Sequence, residues 1–441
     1  MPLHDDEMNK RREKREALRK KREAEQRRLK VALILAVVVL IACGVGIFFL
    51  AGNPVDVDKP TVDQDQPAQQ VWQPEEQTES TKETSIIGYE PSTTIHIRAA
   101  GDLNITDTVV NSGLSTGGYD FTRVFVDVLP LLAEADLTVM NYEGNVCGEP
   151  YGTERTSAPR ELLDGLRSAG VDLLQTANSA SINNGLIGLS GTLTAIRNSG
   201  LEPLGSYSSP AEFKQTNGYT ICEVQGVKVA FVAFTKGVGG RGMPAGNEGC
   251  VNLLYQDYDS EYKKIDKDGI NAILKAVEAE KPDITIAMLH WGSEYNEAIS
   301  ENQEDIVALM KKGGVDVIIG THPHLVQKID FDQTAGTLVA YSLGDFFGDG
   351  TRGGSNYSII LDIEITKDPV TSTTKVTDFS YTPIYTLQYH ENQGDYKYSR
   401  VVRIEEAMLA YDNNYVDKIT KEAYDAMAYA LQRIEERIAG K

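Results

Sequence analysis

Three of the six histidines in this 441-residue chain fall in two short stretches, LHWGSEY and GTHPHLVQ. The first supplies His290, followed by Glu294, and the second supplies His322 and His324. Two further stretches, GDLN and NYEG, supply Asp102 with Asn104 and Asn141 with Glu143. Carboxylates mixed with imidazoles suit Mn, Fe or Zn. Two such ions a few Å apart would polarise a phosphoryl group and supply hydroxide at neutral pH. Taken singly, Gly-Asp after an apolar run is ordinary turn chemistry, and His290 beside Trp291 reads as a half-buried core histidine. GTHPH is the stronger signal, because Pro323 fixes the backbone between two histidines.

The elements that must position these residues are short apolar runs: TIHIRAAGD, DLTVMNYEG, VDLLQTANS, VKVAFVAFT, DITIAMLHWG, VDVIIGTHPH and TLVAYSLGDF. Between them lie stretches with helical spacing, such as PRELLDGLRSAG and INAILKAVEAEKP. Alternation of this kind predicts an α/β fold with much parallel pairing. In such sheets functional residues gather beyond the carboxyl ends of the strands. Every candidate cluster sits there, including Asn178 and Ser179 after VDLLQTA, so one pocket is expected to collect them. Past residue 355, the runs YSIILDIEI, KVTDFSYTPIYTLQY and YSRVVRI read as antiparallel strands. The domain is expected over 93–390, with an amphipathic helical extension over 391–441.

The formal charge is −21, unevenly spread. Residues 1–30 carry twelve Lys/Arg against seven Asp/Glu and form a basic tail. Residues 31–51, VALILAVVVLIACGVGIFFLA, hold no charge and are long enough for one transmembrane helix. A cleaved signal has a shorter apolar region, about 7–15 residues. The run therefore reads as an uncleaved single-pass anchor in the cell membrane, in contact with lipid. Its basic lead faces the cytoplasm, and the main domain is extracytoplasmic. Residues 52–92, rich in Pro, Gln, Ser, Thr and acidic residues, read as a disordered tether. The acidic outer part argues against nucleic acid as a partner. Cys147, Cys222 and Cys250 leave two patterns open, one disulfide with a free thiol or three thiols.

GDLNIT, DLTVMNYEG, LHWGSEY, GTHPHLVQ and YSLGDF, in this order, resemble the capsule-synthesis (CapA-type, poly-γ-glutamate biosynthesis) family of bacteria. The resemblance spans about residues 94–365. It implies a relative of the calcineurin-like metallophosphoesterases, with a four-layered αββα sandwich. By motif it implies that Asp102 is a ligand of a first divalent ion, with Asn104 beside it and His324 on the same ion. Glu143 would bridge to a second ion held by His290 and His322. Asp102, Glu143 and His290 would be the catalytic centre, and Glu294, Tyr295 and Asn178 would face the substrate. The implied partners are an anionic envelope polymer or its precursor and other capsule-synthesis proteins.

The departures bear on activity. Where the family has an Asn-His pair and then Asp-x-Gly, this chain has Asn178-Ser179-Ala180-Ser181-Ile182-Asn183-Asn184-Gly185. Aligned on Gly185, Ser179 stands for the ligand Asn, Ala180 for the His and Asn183 for the Asp. Sliding Asn178 into the ligand place still leaves no histidine. A lost general acid commonly costs about 10²–10⁴ in rate. Thr156-Ser157-Ala158-Pro159 lacks the family's basic residue, and Asp345 replaces an Asn in YSLGDF. Two functions stay open: a metal-dependent hydrolase or transferase of envelope polymer, and a binding or scaffold protein that keeps the fold without turnover.

Overall fold

The computed structural model describes residues 91–390, 397–415 and 418–441. The basic segment, the apolar run and residues 52–90 of the tether lie outside the described residues. Among the described residues, no helix is long and apolar enough to cross a membrane.

In chain order the strands are β1 (Thr93–Asn104), β2 (Leu114–Ser115), β3 (Gly118–Tyr119), β4 (Leu137–Glu143), β5 (Leu173–Gln175), β6 (Glu202–Leu204), β7 (Tyr219–Val224) and β8 (Val227–Thr235). They continue as β9 (Ile284–His290), β10 (Val317–Thr321), β11 (Ile329–Asp332), β12 (Thr337–Ala340), β13 (Asp345–Phe347), β14 (Tyr357–Asp368), β15 (Thr373–His390) and β16 (Lys397–Arg403). The first sheet runs β16-β15-β14-β1-β4-β5-β6, with β13 also paired to β1. The second runs β11-β12-β10-β9-β8-β7. Both sheets are parallel at the centre (β1/β4/β5/β6 and β8/β9/β10/β12) and antiparallel at an edge.

Side chains on a strand alternate between faces, and here the alternation sorts the core. Ile95, Ile97 and Ala99 of β1 join Val229, Phe231 and Ala233 of β8 and Ile286 and Met288 of β9 in one cluster between the sheets. Ala100, Met140, Leu174 and Ile360 point the other way, onto Val109, Phe125, Leu162 and Leu166 of helices on the outer side of the first sheet. Ala230, Val232, Ala287 and Ile318 point outward from the second sheet onto Ile270, Leu274, Ile306 and Met310. Those last residues belong to the helices Lys267–Glu280 and Glu301–Lys312. The layers therefore run helix, sheet, sheet, helix. β8 is buried almost throughout, which explains its near-continuous apolar reading.

The expected break at 390/391 falls inside a hairpin. β15 and β16 pair antiparallel from Ile384↔Arg403 to Tyr389↔Tyr398, so the strand after the break completes the first sheet. The helices Ile404–Asp412 and Lys421–Ile438 then bring Ile404, Met427, Ala430 and Ile434 into the core between the sheets. The apolar stripe of the tail is thus used within the domain. Cys147, Cys222 and Cys250 are all free thiols.

Candidate metal centre

Strand ends from both sheets meet at one place. A bulge in β1, between Ala100 and Asp102 in its register with β4, turns Asp102 inward. Gly101 is needed there, because a Cβ would overlap the Gly344 carbonyl. Gly320 faces the same constraint against the Tyr341 carbonyl. Asp102 is fully buried. It accepts from Asn141 Nδ2 at 2.6 Å and from the His322 backbone N–H at 3.0 Å. The second bond needs an unusual backbone: His322 has φ 90° and His324 φ 58° around Pro323. Non-glycine residues in that region are strained and gather at functional sites.

His290 ends β9. Gln175 Nε2 is turned toward backbone carbonyls, so its Oε1 accepts from Thr321 Oγ1 at 3.2 Å. Thr321 Oγ1 then accepts from His290 Nδ1 at 3.1 Å. With the proton on Nδ1, this chain leaves a lone pair on Nε2. Nε2 lies 3.5 Å from Glu143 Oε1 and 3.0 Å from Ser179 Oγ. The same Ser179 hydroxyl is 3.5 Å from His322 Nδ1. His324 Nδ1 donates to Asp345 Oδ1 at 2.7 Å and lies 3.7 Å from Asp102 Oδ2.

Among the described residues, three ligand-type sets emerge: Glu143 with His290 and His322, Asp102 with Glu143 and His324, and Glu294 with His322 and His324. Within each set, the donor atoms lie within 4.8 Å of one another. Glu143 Oε2 is buried and has no hydrogen-bond partner. A buried carboxylate oxygen without a donor is costly, and a cation satisfies it. Carboxylate oxygens with imidazole nitrogens are a fitting donor set for Mn, Fe or Zn.

The titrations follow from burial and neighbours. Burial pushes Asp102 up, opposed mainly by His324. Burial is the largest influence on Glu143 and raises it, but His290 and then His324 together outweigh burial and hold Glu143 below its usual value. His322 lies well below the ordinary imidazole range, from burial and then the facing His290, Lys236 and His324. Burial also pulls His324 down, yet Asp345 above all, then Asp102 and Glu143, keep it well above 6.5. Asp345, buried beside Asp102 in the β1/β13 register, is pushed up to about 7 by burial, with His324 opposing. His322 is therefore ready to ligate at neutral pH, while His324 must first lose a proton.

The remaining expected residues are placed as follows. Asn104 ends β1 opposite Glu143 and is half-buried. Glu294 is exposed and lines a cleft of about 430 Å³ with Ser179, Lys236, Tyr262, Ser293 and His322. Tyr295 stacks on His324 with centroids 5.3 Å apart, and the Arg352 guanidinium lies over the Tyr295 ring, 5.3 Å from its centroid. Asn178 is buried, and its amide donates to Asn141 Oδ1 at 3.0 Å and Tyr142 O at 2.7 Å. Its Oδ1 accepts from Ala180 N at 3.1 Å. Between the two alignments of this segment, Ser179 is the residue whose side chain reaches the cluster. Sequence reasoning passed over Gln175, Thr321 and Lys236. The last follows β8 directly, a strand end that could have been read by the same rule as the others.

The loop carrying Glu294 and Tyr295 is held from two sides. Gln327 of GTHPHLVQ donates to Asn296 O at 2.9 Å. Glu297 pairs with Arg433 at 2.9 Å and with Arg437, both on the C-terminal helix.

Residues 96–349 match the family described as "Bacterial capsule synthesis protein PGA_cap". The chain belongs to this family. Among its relatives, the capsule biosynthesis protein CapA of Bacillus anthracis is 28% identical over 239 residues, covering 52% of this chain and 55% of that protein. The PGA biosynthesis protein CapA of Bacillus subtilis (strain 168) is 27% identical over 235 residues, covering 51% of this chain and 57% of that protein. The chain thus spans about half the length of the relatives it matches. Among solved structures, the calcineurin-like phosphoesterase YfkN from Bacillus subtilis aligns at 16% identity and TM-score 0.38, over 79% of this chain and 99% of that one. A putative 5'-nucleotidase from Staphylococcus aureus aligns at 12% identity and TM-score 0.42, over 77% of this chain and 58% of that one. Every ligand-type cluster of this PGA_cap chain, from Asp102 to His324, falls inside the matched residues.

Proposed function

We propose that this PGA_cap chain is a membrane-anchored, outward-facing protein of capsule or envelope polymer metabolism. In this reading it holds one or two divalent ions and acts as a hydrolase or transferase on phosphoester- or amide-linked anionic polymer. The observation that carries the reading is the convergence of Asp102, Glu143, His290, His322 and His324 from both sheets, with Glu143 Oε2 buried and unpartnered. A bound ion supplies Lewis acidity for a phosphoryl or carbonyl oxygen. The chain's own residues do the rest. The Gln175–Thr321 pair presents His290 Nε2, Ser179 offers a hydroxyl to the same point, and Glu294 and Tyr295 form the wall against which substrate lies.

A second reading has its own observation. Ala180 is buried where the resemblance expects a histidine, and a methyl group neither donates a proton nor carries charge. On this reading the protein binds metal and polymer without turnover.

The test is metal analysis of the full-length chain, wild type against His322→Ala, followed by a phosphoesterase assay with Mn²⁺. Wild type retains an ion that His322→Ala loses. Absence of bound ion in every condition sinks the metal reading. A metal-bound but inactive wild type that gains activity with Ser179→Asn plus Ala180→His establishes the second reading. Membrane fractionation of the chain with and without residues 31–51 tests the anchor.

A further inference from the structure

The Gly-rich turn that follows β8, Lys236-Gly237-Val238-Gly239-Gly240-Arg241, has no role in the ligand cluster, yet it forms one side of the same cleft. Its backbone is tied to the site by Lys236 N–H donating to His290 O at 2.8 Å. Val238 packs with Ala177 and Ile182 in a small core of its own. Gly239 lies so close to the Ser179 carbonyl that a Cβ there would stand 2.9 Å from it. The turn therefore abuts the segment that carries Ser179 and Ala180.

Two cations come with it. Lys236 Nζ donates to Gly292 O at 2.6 Å and lies 4.6 Å from the centre of the Tyr262 ring. That one bond leaves two of its three N–H donors for other acceptors. Arg241 donates to Asn183 Oδ1 at 2.6 Å, and Asn183 in turn donates to Thr156 Oγ1 at 3.0 Å. The rest of the site is strongly acidic, with Asp102, Glu143, Glu294 and Asp345 all near. An anion entering there needs a positive counterpart on the cleft wall. Lysine serves anions as a compact point charge.

We propose that Lys236, backed by Arg241, forms an anion subsite beside the ligand cluster and holds an oxyanion of the substrate, a phosphoryl or carboxylate group, against Ser179 and His322. The proposal rests on the reading of this cleft as the working site.

The test titrates inorganic phosphate, and separately succinate, into the full-length chain by calorimetry, with Mn²⁺ and with EDTA. Wild type is compared with Lys236→Gln, Lys236→Arg and Arg241→Gln, and bound metal is measured in each. Lys236→Gln is expected to weaken anion binding about tenfold, since a charge-assisted bond is lost. Lys236→Arg keeps it within about threefold, and bound metal stays unchanged. Lys236-dependent binding of phosphate over succinate assigns a phosphoryl group, and the reverse assigns a carboxylate. If no preparation holds metal but Lys236 still governs anion affinity in EDTA, the metal reading fails and the subsite stands. Equal affinity in wild type and Lys236→Gln overturns the subsite. So does wild type that binds neither anion, and so does a loss of bound metal in Lys236→Gln.

Discussion

Replacing Asn178 with Ala separates a framework role from a substrate contact. The side chain makes three good hydrogen bonds, to Asn141 Oδ1 at 3.0 Å, Tyr142 O at 2.7 Å and Ala180 N at 3.1 Å. The site is buried, so water does not replace them. At about 1 kcal/mol net for each bond, Asn178→Ala costs about 3 kcal/mol. For a domain of this size that lowers Tm by roughly 5 °C. Thermal unfolding followed by circular dichroism measures it. Asn178→Asp is expected to be destabilising as well, because a carboxylate places an acceptor where Tyr142 O needs a donor. The loop also loses the tie that aims Ser179 at His290, so metal retention falls together with Tm. An unchanged Tm in Asn178→Ala, accompanied only by weaker substrate or anion binding, would refute the reasoning and put the amide on the substrate.

Asp345→Asn probes the His324–Asp345 pair through pH. His324 and Asp345 both have raised values in the fold, so the native state keeps protons that the unfolded chain releases. Their contribution is fully present at low pH and is lost as pH rises through about 7 and then through the raised value of His324. In EDTA, wild type should exceed Asp345→Asn in stability by roughly 1–2 kcal/mol more at pH 6 than at pH 9; thermal melts at the two pH values check it, and a gap that widens with pH contradicts it. Arg437→Ala removes a buried guanidinium that pairs with Glu297 and lies 5.4 Å from the Tyr357 ring. Because Glu297 is about half exposed, the expected cost is only about 1–2 kcal/mol. Hydrogen exchange over residues 294–299 should accelerate while β9 stays protected; unchanged exchange there would show that Gln327 and Arg433 hold the loop without Arg437.

Much of the site was legible because its residues obey one positional rule. Asp102, Glu143, His290 and the His322–His324 pair each follow an apolar run, and the strand ends converge as parallel packing demands. The layers were legible too, since the period-two pattern of β1, β8 and β9 sorts their side chains onto two faces. What the sequence hid is what depends on contacts across the sheets. Gln175 and Thr321 look like ordinary strand residues, and only the gap between the two sheets makes them the pair that orients His290. Asp345 read only as a departure from the Asn that the resemblance expects, whereas its register opposite Asp102 makes it a buried partner of His324. Lys236 was passed over although it directly follows β8, as the other site residues follow their strands. The 390/391 boundary was drawn from composition, which does not show which neighbour a strand will find, and a hairpin links strands on either side of it.

The pairing of β1 with β14 has a bearing on how the chain comes to be folded. The hydroxyls of Thr94 and Thr366 touch across 272 positions of sequence. The central strand of the first sheet, though made early, lacks one neighbour until nearly the whole domain has left the ribosome. Closing so long a loop is slow, and the bare edge invites intermolecular pairing in the meantime. A product truncated before residue 357 consequently keeps every ligand-type residue yet leaves that edge open, and aggregation or proteolysis, not partial activity, is its expected fate.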